Sequence, residues 1–373
     1  MSASNPSGSV RTWIEINKRS LFFNYEYFRK LAGVPVMAMV KSNAYGHGLT
    51  LVARLLATRD PNPHSPNPRL WFGVDSIVEA LRLRREGIRQ PILVLGYTLP
   101  GRYADAARHN IILTVSSFNG LWSLARARQR PAFHIKLDTG MHRQGFLPGE
   151  IPELIGELRR CGLEPGGVYS HFAVAENQTA SRAQYGIFQQ CRNALGKAGF
   201  ALPSLHMAAT GGTFLHRAPG YTMVRIGLGL YGYLPNGRRS ALGPVATWKT
   251  LVGELKTVAK GERVGYDLTE RLRRKTTMAI LPIGYWHGFD RGLSSIGEVL
   301  IRGRRAKVLG RVSMDMTVVD VTGIPGVRIG AEAVLIGRQG KEFIGADEVA
   351  KKIGTTAYEI LTRMNPLIRR ITR

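Results

Sequence analysis

Eight short apolar runs, each followed by a helical stretch, constrain the fold of this 373-residue chain more than any other feature. The runs cover residues 36–40, 70–74, 92–95, 112–115, 132–137, 167–171, 204–208 and 223–226. Continuous apolar strands separated by helical crossovers, such as those at 76–86 and 181–198, predict a parallel sheet covered by helices. Eight such units in roughly 210 residues predict a (β/α)8 barrel, the TIM-barrel architecture.

The alternation of strand and helix ends near residue 232. Further strand-like runs then follow one another with turn residues between them, at 247–258, 277–283, 298–301, 306–309, 316–321 and 333–336. This pattern predicts a mainly antiparallel β domain, closed by a helix at 346–353 and a basic end at 358–373. We therefore divide the chain into a flexible tail at 1–11, a barrel at 12–240 and a β domain at 241–373. The alternating segment 12–17 is a strand that either stays with the barrel or joins the β domain, and residues 62–68 form a loop insertion.

The charge balance is strongly basic. Lys and Arg total 52 against 26 Asp and Glu, a formal net charge of +26, while the hydrophobic share of 44% is ordinary for a folded core. Basic runs at 271–275 and 302–307 have the charge to hold nucleic-acid phosphates, but the excess is spread over the chain without an aromatic-rich nucleic-acid module. Arg82, Arg84, Arg85 and Arg89 are interpreted as a solvated helix face. We expect no specific nucleic-acid partner.

The cellular location of the protein is predicted from three features that the sequence lacks. No apolar run approaches the ~18 residues that a membrane span needs. The first residues lack the basic and apolar regions of a secretion signal. Two cysteines, Cys161 and Cys191, are too few for a disulfide framework or a thiolate metal cage. We expect a cytoplasmic protein with no membrane contact and no metal site.

A candidate reactive lysine directly follows the first barrel strand. Lys41 lies where the barrel's carboxyl end carries functional residues, and desolvation there would free its amine to form a Schiff base. The alternative is an ordinary surface lysine at the end of a strand. Tyr45 and His47 follow within the segment 40–48, Val-Lys-Ser-Asn-Ala-Tyr-Gly-His-Gly, whose glycines permit close approach of the backbone to a ligand.

With this segment and the motifs after it, the chain resembles the pyridoxal-phosphate-dependent alanine racemases from about residue 12 to 366. The further motifs occur in the family's order at 136–146, 169–172, 206–210, 223–227, 263–266, 282–285, 310–315 and 358–363. The resemblance implies that pyridoxal 5'-phosphate is the cofactor and that the enzyme interconverts the two enantiomers of a small amino acid.

The resemblance also implies how the catalytic residues work. Lys41 would bind the cofactor and act as the acid/base on one face of the substrate's Cα, and Tyr266 of the partner subunit would act on the other face. A phenol has a reference pKa of ~10 and needs help near neutral pH, which the family supplies through a histidine, here His171. His171 would contact Arg225, which the family places against the ring nitrogen of the cofactor. The resemblance therefore implies a homodimer in which each active site is shared between the two subunits.

Other positions match the family's binding residues. Those assigned to the cofactor's phosphate are Tyr45, Thr210, Gly227, Leu228 and Tyr358. Arg143 and the backbone N–H of Met314 are assigned to the substrate. Lys136 matches a lysine that many relatives carry as a carbamate, with an unmodified lysine as the alternative. Tyr285 and Asp315 would line the entrance, with Arg291 and Arg311 in an outer layer.

Several positions depart from the family's pattern. Thr210 replaces a serine, Ala209 replaces an asparagine and His287 replaces an acid, beside Trp286. Ser313 and Met316 also differ, so strict preference for alanine is in doubt. The leading hypothesis is an alanine racemase that supplies D-alanine for peptidoglycan. The alternatives are a racemase of serine or another amino acid, a non-catalytic pyridoxal-phosphate-binding protein and, on charge alone, a nucleic-acid-binding protein.

Overall fold

The computed structural model describes residues 10–60, 62, 65, 68–215, 220–237 and 240–373. The proposed tail therefore lies outside the described residues except for Val10 and Arg11, as does most of the proposed loop at 62–68. The chain divides into two compact units. The barrel unit comprises Phe22–Ala44 and Leu49–Leu230, and the C-terminal unit comprises Met1–Leu21, Tyr45–Gly48 and Tyr231–Arg373. Among the described residues, none of the helices has the length and apolar character to cross a membrane.

The barrel unit contains eight parallel strands. The first strand of the chain, β1 (Thr12–Ile16), belongs to the other unit. The barrel strands are β2 (Val36–Met39), β3 (Leu70–Val74), β4 (Ile92–Val94), β5 (Ile111–Val115), β6 (Phe133–Lys136), β7 (Gly167–Tyr169), β8 (Ser204–His206) and β9 (Val224–Ile226). Each pairs in parallel with the next from β2 to β8, and β9 returns to pair with β2. The predicted (β/α)8 barrel is confirmed.

Helices connect these strands as predicted. Their bounds are α1 (Lys18–Ala32), α2 (Lys41–Tyr45), α3 (Leu49–Ala57), α4 (Ile77–Arg85), α5 (Tyr103–Arg108), α6 (Phe118–Arg126), α7 (Ile151–Cys161), α8 (Gln178–Lys197) and α9 (Thr210–Leu215). Helix α4 matches the predicted helix at 76–86, because Ser76 is its N-cap and forms a capping box with Glu79. One element, α2, is helical in the opposite hand and is described below.

The C-terminal unit is mainly antiparallel, which confirms the second part of the fold prediction. Its strands are β1, β10 (Ala246–Leu251), β11 (Glu254–Val258), β12 (Arg263–Val264), β13 (Glu270–Arg271), β14 (Thr276–Leu281), β15 (Glu298–Ile301), β16 (Arg304–Lys307), β17 (Thr317–Asp320), β18 (Glu332–Gln339), β19 (Glu342–Ile344) and β20 (Arg369–Thr372). The largest sheet has the order β16-β15-β18-β10-β1-β20, with β19 paired to β18. Helices α10 (Ala346–Ile353) and α11 (Ala357–Thr362) follow β19.

At the boundaries of the barrel, β1 follows one of the two alternatives left open for it, and one further segment differs from the expected division. Strand β1 pairs antiparallel with β10 and parallel with β20, so residues 12–16 complete the C-terminal sheet. The segment from Tyr231 to residue 237 also belongs to this unit rather than to the barrel. The Tyr231 carbonyl accepts from Val245 N at 3.2 Å, and the Tyr233 hydroxyl accepts from Ala346 N at 3.2 Å. These bonds hold the segment to the C-terminal unit.

The expected strand at 247–258 is two strands in two different sheets. Strand β10 ends at Leu251, and β11 begins at Glu254 and pairs with β14. Between them the Val252 N–H donates to Ala331 O, while the Gly253 N–H donates to Ile280 O. Successive backbone groups thus bond to different sheets, which an apolar run in the sequence cannot reveal.

Candidate functional site

The barrel places Lys41 at the carboxyl end of β2. The strand ends at Met39, and Lys41 begins the next turn with its side chain 37% exposed. Its Nζ lies 3.9 Å from Oδ1 of Asp75, which follows the neighbouring strand β3. Because Asp75 is itself 60% exposed, this contact is a weak surface pair. The Lys41 amine is therefore held near the barrel mouth and remains available to a ligand.

The residues after Lys41 form a left-handed turn. Ser42, Asn43, Ala44 and Tyr45 have φ between 51° and 55°, a conformation that costs L-residues roughly 1–2 kcal/mol each. Two hydrogen bonds hold the turn: Ala44 N donates to Val40 O at 2.7 Å, and Asn43 Oδ1 accepts from Leu49 N at 2.9 Å. Strain of this kind persists where the surrounding structure fixes it, commonly at functional sites.

Arg225, on β9, is the most extensively bonded side chain in the barrel. It is 2% exposed, and its guanidinium donates to the carbonyls of His206, Ser170 and Met207 at 3.0, 2.7 and 3.0 Å. It also reaches Nδ1 of His206 at 2.6 Å and Nδ1 of His171 at 3.0 Å. Among the described residues no carboxylate pairs with it, so its charge is not compensated. Burial lowers the pKa of Arg225 to about 10.

These contacts assign protons to a chain of histidines. Arg225 has donors alone, so Nδ1 of both His171 and His206 must accept. His206 then carries its proton on Nε2, which lies 3.1 Å from Nδ1 of His134. Burial first, and the Arg225 charge second, lower the pKa of His134 to about 3 and hold the pKa values of His171 and His206 well below the usual value. All three rings are neutral near pH 7.

The aromatic ring of Tyr169 packs against His206 and Arg225. Its ring stacks on His206 with a centroid separation of 4.8 Å, and the Arg225 guanidinium lies 5.2 Å from its centroid. The Tyr169 hydroxyl is 2.8 Å from Oγ1 of Thr114 on β5. The ring therefore offers an aromatic face to the cations while its polar end is satisfied.

Lys136, at the end of β6, is 6% exposed and faces the same ring. Its Nζ lies 4.7 Å from the Tyr169 centroid. Burial, then the charges of Arg225 and Arg143, hold the pKa of Lys136 well below its usual range, although Asp138 acts in the opposite direction. The amine is thus far more often neutral than that of a surface lysine.

Asp138 shapes the loop that carries Arg143. Its Oδ1 accepts from the backbone N–H groups of Gly140, Met141 and His142 at 2.9, 3.1 and 3.0 Å. Although burial acts the other way, these three donors lower the pKa of Asp138 below its usual value. The fixed turn leaves the Arg143 side chain exposed beyond it.

Thr210 joins the loops after β8 and β9. Its Oγ1 accepts from Gly227 N and Gly229 N, both at 3.2 Å, and the side chain is 1% exposed. A hydroxyl that accepts two hydrogen bonds still has its own proton to donate. The backbone of Gly227 and Leu228 is therefore fixed next to a hydroxyl donor, at the end of the barrel where phosphate sites commonly occur.

In the C-terminal unit, Tyr45 lies in an aromatic cluster. Its ring centroid is 5.1 Å from that of Tyr231 and 6.0 Å from that of Tyr358. His47 stacks on Tyr231 at 4.3 Å and its Nδ1 lies 2.9 Å from the Tyr45 carbonyl. Burial and the neighbouring Tyr358 raise the pKa of Tyr45, so it remains a neutral phenol. Two of the proposed phosphate residues, Tyr45 and Tyr358, are thus neighbours.

Tyr266 is presented outward by a short turn of the C-terminal unit. The side chain is 69% exposed, and it follows Gly265, whose φ is 78°. The next two residues, Asp267 and Leu268, also have positive φ, of 58° and 50°. Arg311 Nε lies 2.7 Å from Oδ2 of Asp267 and ties the turn to the next loop. The phenol projects from a constrained turn, exposed to solvent.

The proposed entrance residues lie on two facing loops of the same unit. Tyr285 N and Trp286 N donate to the carbonyls of Ser313 and Met314, both at 3.0 Å. Tyr285, Trp286 and Met314 are exposed by 42%, 58% and 54%. His287 is folded inward, where its Nδ1 accepts from Gly284 N at 3.2 Å. The loops present a broad apolar surface, to which Met316 also contributes.

The candidate residues therefore form two small groups in each unit. In the barrel unit, the structure brings together Arg225 and Lys136 around Tyr169, with His171 on Arg225, and Thr210 with Gly227. In the C-terminal unit it brings together Tyr45 with Tyr358, and Tyr285 with Met314, while Arg291 begins a separate short turn, Arg291–Leu293. The sequence analysis gave His134 and His206 no role. Their places on the barrel strands β6 and β8, on either side of β7, were the available signal.

Comparison with known proteins identifies the family. The family described as "Alanine racemase, N-terminal domain" matches residues 16–235, and "Alanine racemase, C-terminal domain" matches 245–372. Curated alanine racemases of Methylacidiphilum infernorum and Halothermothrix orenii are both 36% identical, covering 96% and 94% of this chain and 92% and 93% of their own.

Solved structures agree with the sequence relatives. Alanine racemase of Bacillus anthracis, with bound L-Ala-P, superposes with a TM-score of 0.89 at 32% identity, covering 98% of this chain and 96% of its own. The enzyme of a D-cycloserine-producing Streptomyces lavendulae gives 0.90 at 30% identity and covers 98% of each chain. With both domains matched and nearly the whole length shared, this chain belongs to the alanine racemase family.

Proposed function

We propose that this protein interconverts L-alanine and D-alanine and supplies D-alanine for peptidoglycan. The observation that carries the proposal is the group of cations at one end of the barrel. Arg225, Lys136, Arg143 and Lys41 all lie close enough to His171 for their charges to lower its pKa. Such a group suits a ligand that carries a phosphate or a carboxylate, as an amino acid and its cofactor do.

The residues present fit pyridoxal 5'-phosphate. The Lys41 amine is accessible at the strand end, and the Thr210 hydroxyl has a proton to donate beside the backbone of Gly227 and Leu228. Tyr45 and Tyr358 add two phenols for the phosphate. When bound, this cofactor supplies an electron sink for the negative charge that remains on the substrate's Cα after its proton is removed.

Arg225 would lie against the cofactor's ring nitrogen. A cation there disfavours protonation of that nitrogen and limits the pull on electrons. The five hydrogen-bond contacts of the guanidinium hold it in place while leaving its charge uncompensated. We expect this to favour simple return of a proton over side reactions.

Two acid/base residues then act on opposite faces of Cα. Lys41 moves the proton on one face, and Tyr266 of the partner subunit moves it on the other. His171 cannot take the proton of that phenol at Nδ1, because Nδ1 accepts from Arg225. Its Nε2 carries a hydrogen and can therefore only donate, so His171 would stabilise the phenolate by a hydrogen bond.

Substrate recognition is assigned to Arg143 and to the backbone N–H of Met314. Asp138 fixes the loop before Arg143, which would limit its loss of freedom on binding the substrate carboxylate. Lys136, whose pKa burial holds well below its usual range, is suited to react with CO2: the amine forms a C–N bond, releases a proton and becomes a carbamate anion. That anion would compensate Arg143.

The exposure of Tyr266 supports a homodimer. The phenol is outward-facing in its own unit, and Tyr285, Trp286, Met314 and Met316 add exposed apolar area on the same unit. Exposed apolar patches of this kind mark interfaces. We assign the protein to the cytoplasm, where Cys161 and Cys191 remain free thiols.

A substrate panel tests the proposal. The purified protein, saturated with pyridoxal phosphate, is incubated with L-alanine, L-serine and L-arginine, and the enantiomers are separated by chiral chromatography. We expect racemisation of alanine with the highest kcat/KM. A higher kcat/KM for serine or arginine would favour a racemase of another amino acid. No turnover of any substrate would favour a cofactor-binding protein without catalysis.

A further inference from the structure

The opposite end of the barrel contains a second group of cations, at the entrances of three consecutive strands. Lys41 follows the carboxyl end of β2, whereas this pocket of about 600 Å3 lies where β4, β5 and β6 begin. Its wall includes Arg89 and Pro91 before β4, and Arg130 before β6. It is therefore separate from the candidate active site within the same unit.

The lining is cationic without any compensating acid. Arg84, Arg89 and Arg130 line the pocket with His109, and its lining contains no aspartate or glutamate. Within the described part of the chain, none of the three arginines forms an ion pair. The sequence reflects this local excess, since residues 81–132 contain nine arginines, no lysine and two carboxylates.

Arg84 is fixed as a permanent charge in the pocket wall. The sequence pattern predicted that it is part of a solvated helix face, but its guanidinium is turned inward. It donates to the carbonyls of His109, Ile88, Gln90 and Asn110 at 2.8, 2.7, 2.9 and 3.0 Å. Carbonyls satisfy the donors but carry no net charge. Burial lowers the pKa of Arg84 to about 10.

Arg130 connects this pocket to a second one. It donates to Ala125 O at 2.6 Å and to Cys161 O at 3.4 Å, which leaves N–H groups unused. The adjoining pocket is lined by Arg126, Arg130 and Arg160 beside Trp122. Of these, Arg160 is compensated by Glu157 at 2.5 Å. Arg89 is exposed, and among the described residues its side chain has no hydrogen-bond partner.

We infer that this pocket is a binding site for small anions that carry two or three phosphate groups. Guanidinium groups bind phosphate oxygens in a bidentate manner, and three of them with no opposing carboxylate favour a ligand of several negative charges over a single carboxylate. Arg84 supplies fixed charge, while Arg89 and Arg130 supply free donors. The inference does not depend on the proposed racemase activity.

Isothermal titration calorimetry with inorganic tripolyphosphate tests it. The protein is first saturated with pyridoxal phosphate, so that the cofactor site cannot bind the probe. We expect Arg89→Ala and Arg130→Ala each to weaken binding at least fivefold. The matched control, Arg273→Ala on the exposed surface of the C-terminal unit, should change it less than twofold.

Comparing the pocket variants with the control variant distinguishes a specific binding pocket from general attraction of the probe to a chain of net charge +26. Equal weakening by all three variants would overturn the inference, and so would an absence of measurable binding at 0.15 M salt, at which surface charges are largely screened beyond ~8 Å. Circular dichroism of each variant checks that the fold is retained. Racemisation by Arg89→Ala should equal that of the parent, since this residue is remote from Lys41.

Two probes distinguish the source of the phosphates. We expect a nucleoside triphosphate to compete with tripolyphosphate in the parent protein and to lose affinity in Arg89→Ala. A single-stranded oligonucleotide should bind through general charge and lose no more affinity in Arg89→Ala than in Arg273→Ala. A selective loss of oligonucleotide binding in the pocket variant, without competition by the nucleoside triphosphate, would overturn the assignment to small anions.

Discussion

The Arg225 guanidinium donates to Nδ1 of His171 across 3.0 Å, and this one contact decides which nitrogen of His171 carries its hydrogen. Since the guanidinium has no acceptor, the imidazole must be protonated on Nε2 when neutral. The same guanidinium imposes the same tautomer on His206. A single buried cation thus sets the direction of hydrogen bonding for two histidines, one just after β7 and one at the end of β8.

Lys41→Ala should abolish racemisation together with covalent attachment of pyridoxal phosphate. No other amine is expected to replace Lys41 at the end of β2. Mass spectrometry after borohydride reduction measures the attachment. The control, Lys197→Ala at the end of α8, should keep both properties. A reduced adduct on a different lysine in Lys41→Ala would refute the assignment.

Mixing two inactive variants should restore activity if sites are shared between subunits. Lys41→Ala and Tyr266→Phe lose different residues, so a mixed dimer has one site with both defects and one intact site. We expect activity to return after subunit exchange, up to about half that of the parent per heterodimer. Native mass spectrometry must show that heterodimers form. Persistent inactivity of verified heterodimers would place both residues in one chain's site.

Tyr266→Phe should affect the two enantiomers unequally. Loss of an acid/base group typically reduces a rate ~10²–10⁴-fold. We expect exchange of the Cα hydrogen of L-alanine with deuterated solvent to fall by that factor, and exchange from D-alanine to survive better through Lys41. Proton NMR follows both reactions. An equal loss from both enantiomers, with cofactor still bound, would make Tyr266 a positioning residue and would require another residue as the second base.

Acid should destabilise the protein through its buried histidines. The pKa of His134 is about 3 in the folded state against ~6.5 in the unfolded chain, so between these values the unfolded state binds a proton that the folded state does not. Stability therefore falls as pH falls from about 6.5 towards 3. His134→Gln should reduce this slope by about 1.4 kcal/mol per pH unit.

Urea unfolding at several pH values measures the slope. The control is His109→Gln, whose ring is exposed to solvent in the folded protein. An unchanged slope in His134→Gln would mean that the ring is protonated in the folded state, in contradiction to the hydrogen bond from His206.

Lys136 should take up CO2. Because its pKa is lowered by burial and by Arg225, the neutral amine that reacts is more populated near pH 7 than that of a surface lysine. Protein equilibrated with 13C-bicarbonate should show a bound carbamate resonance that Lys136→Met lacks. Lowering the pH should remove it, since protonated amines do not react. The same signal in Lys136→Met would assign the carbamate elsewhere.

The sequence predicted the architecture well because the barrel is built from continuous apolar strands. The place of Lys41 at the end of a strand could likewise be predicted, because it directly follows the apolar run 36–40. The hand of the turn at 42–45 could not be predicted, because Ser, Asn, Ala and Tyr carry no signal for positive φ comparable to that of glycine. It depends instead on bonds such as that from Leu49 N to Asn43.

Electrostatic roles were also hidden from the sequence. Arg84 lies among other arginines of an amphipathic helix, so the sequence pattern does not distinguish it from them. The structure shows that its guanidinium binds four carbonyls, up to that of Asn110, which loops bring together around it. His134 and His206 are 72 residues apart in the chain and meet because β6 and β8 both face the barrel interior. Such pairs arise from closure of the barrel, which local patterns do not encode.

The pairing of β1 has a consequence for how the chain is made. Thr12 and Thr250 form a buried hydrogen bond across β1 and β10, although 238 residues separate them. On the ribosome, β1 must wait for the whole barrel to be synthesised before its first partner emerges. During that interval Trp13, Ile14 and Ile16, all buried in the finished protein, have no sheet to join. Early synthesis is therefore the period in which this protein most needs a chaperone to cover an unpaired strand.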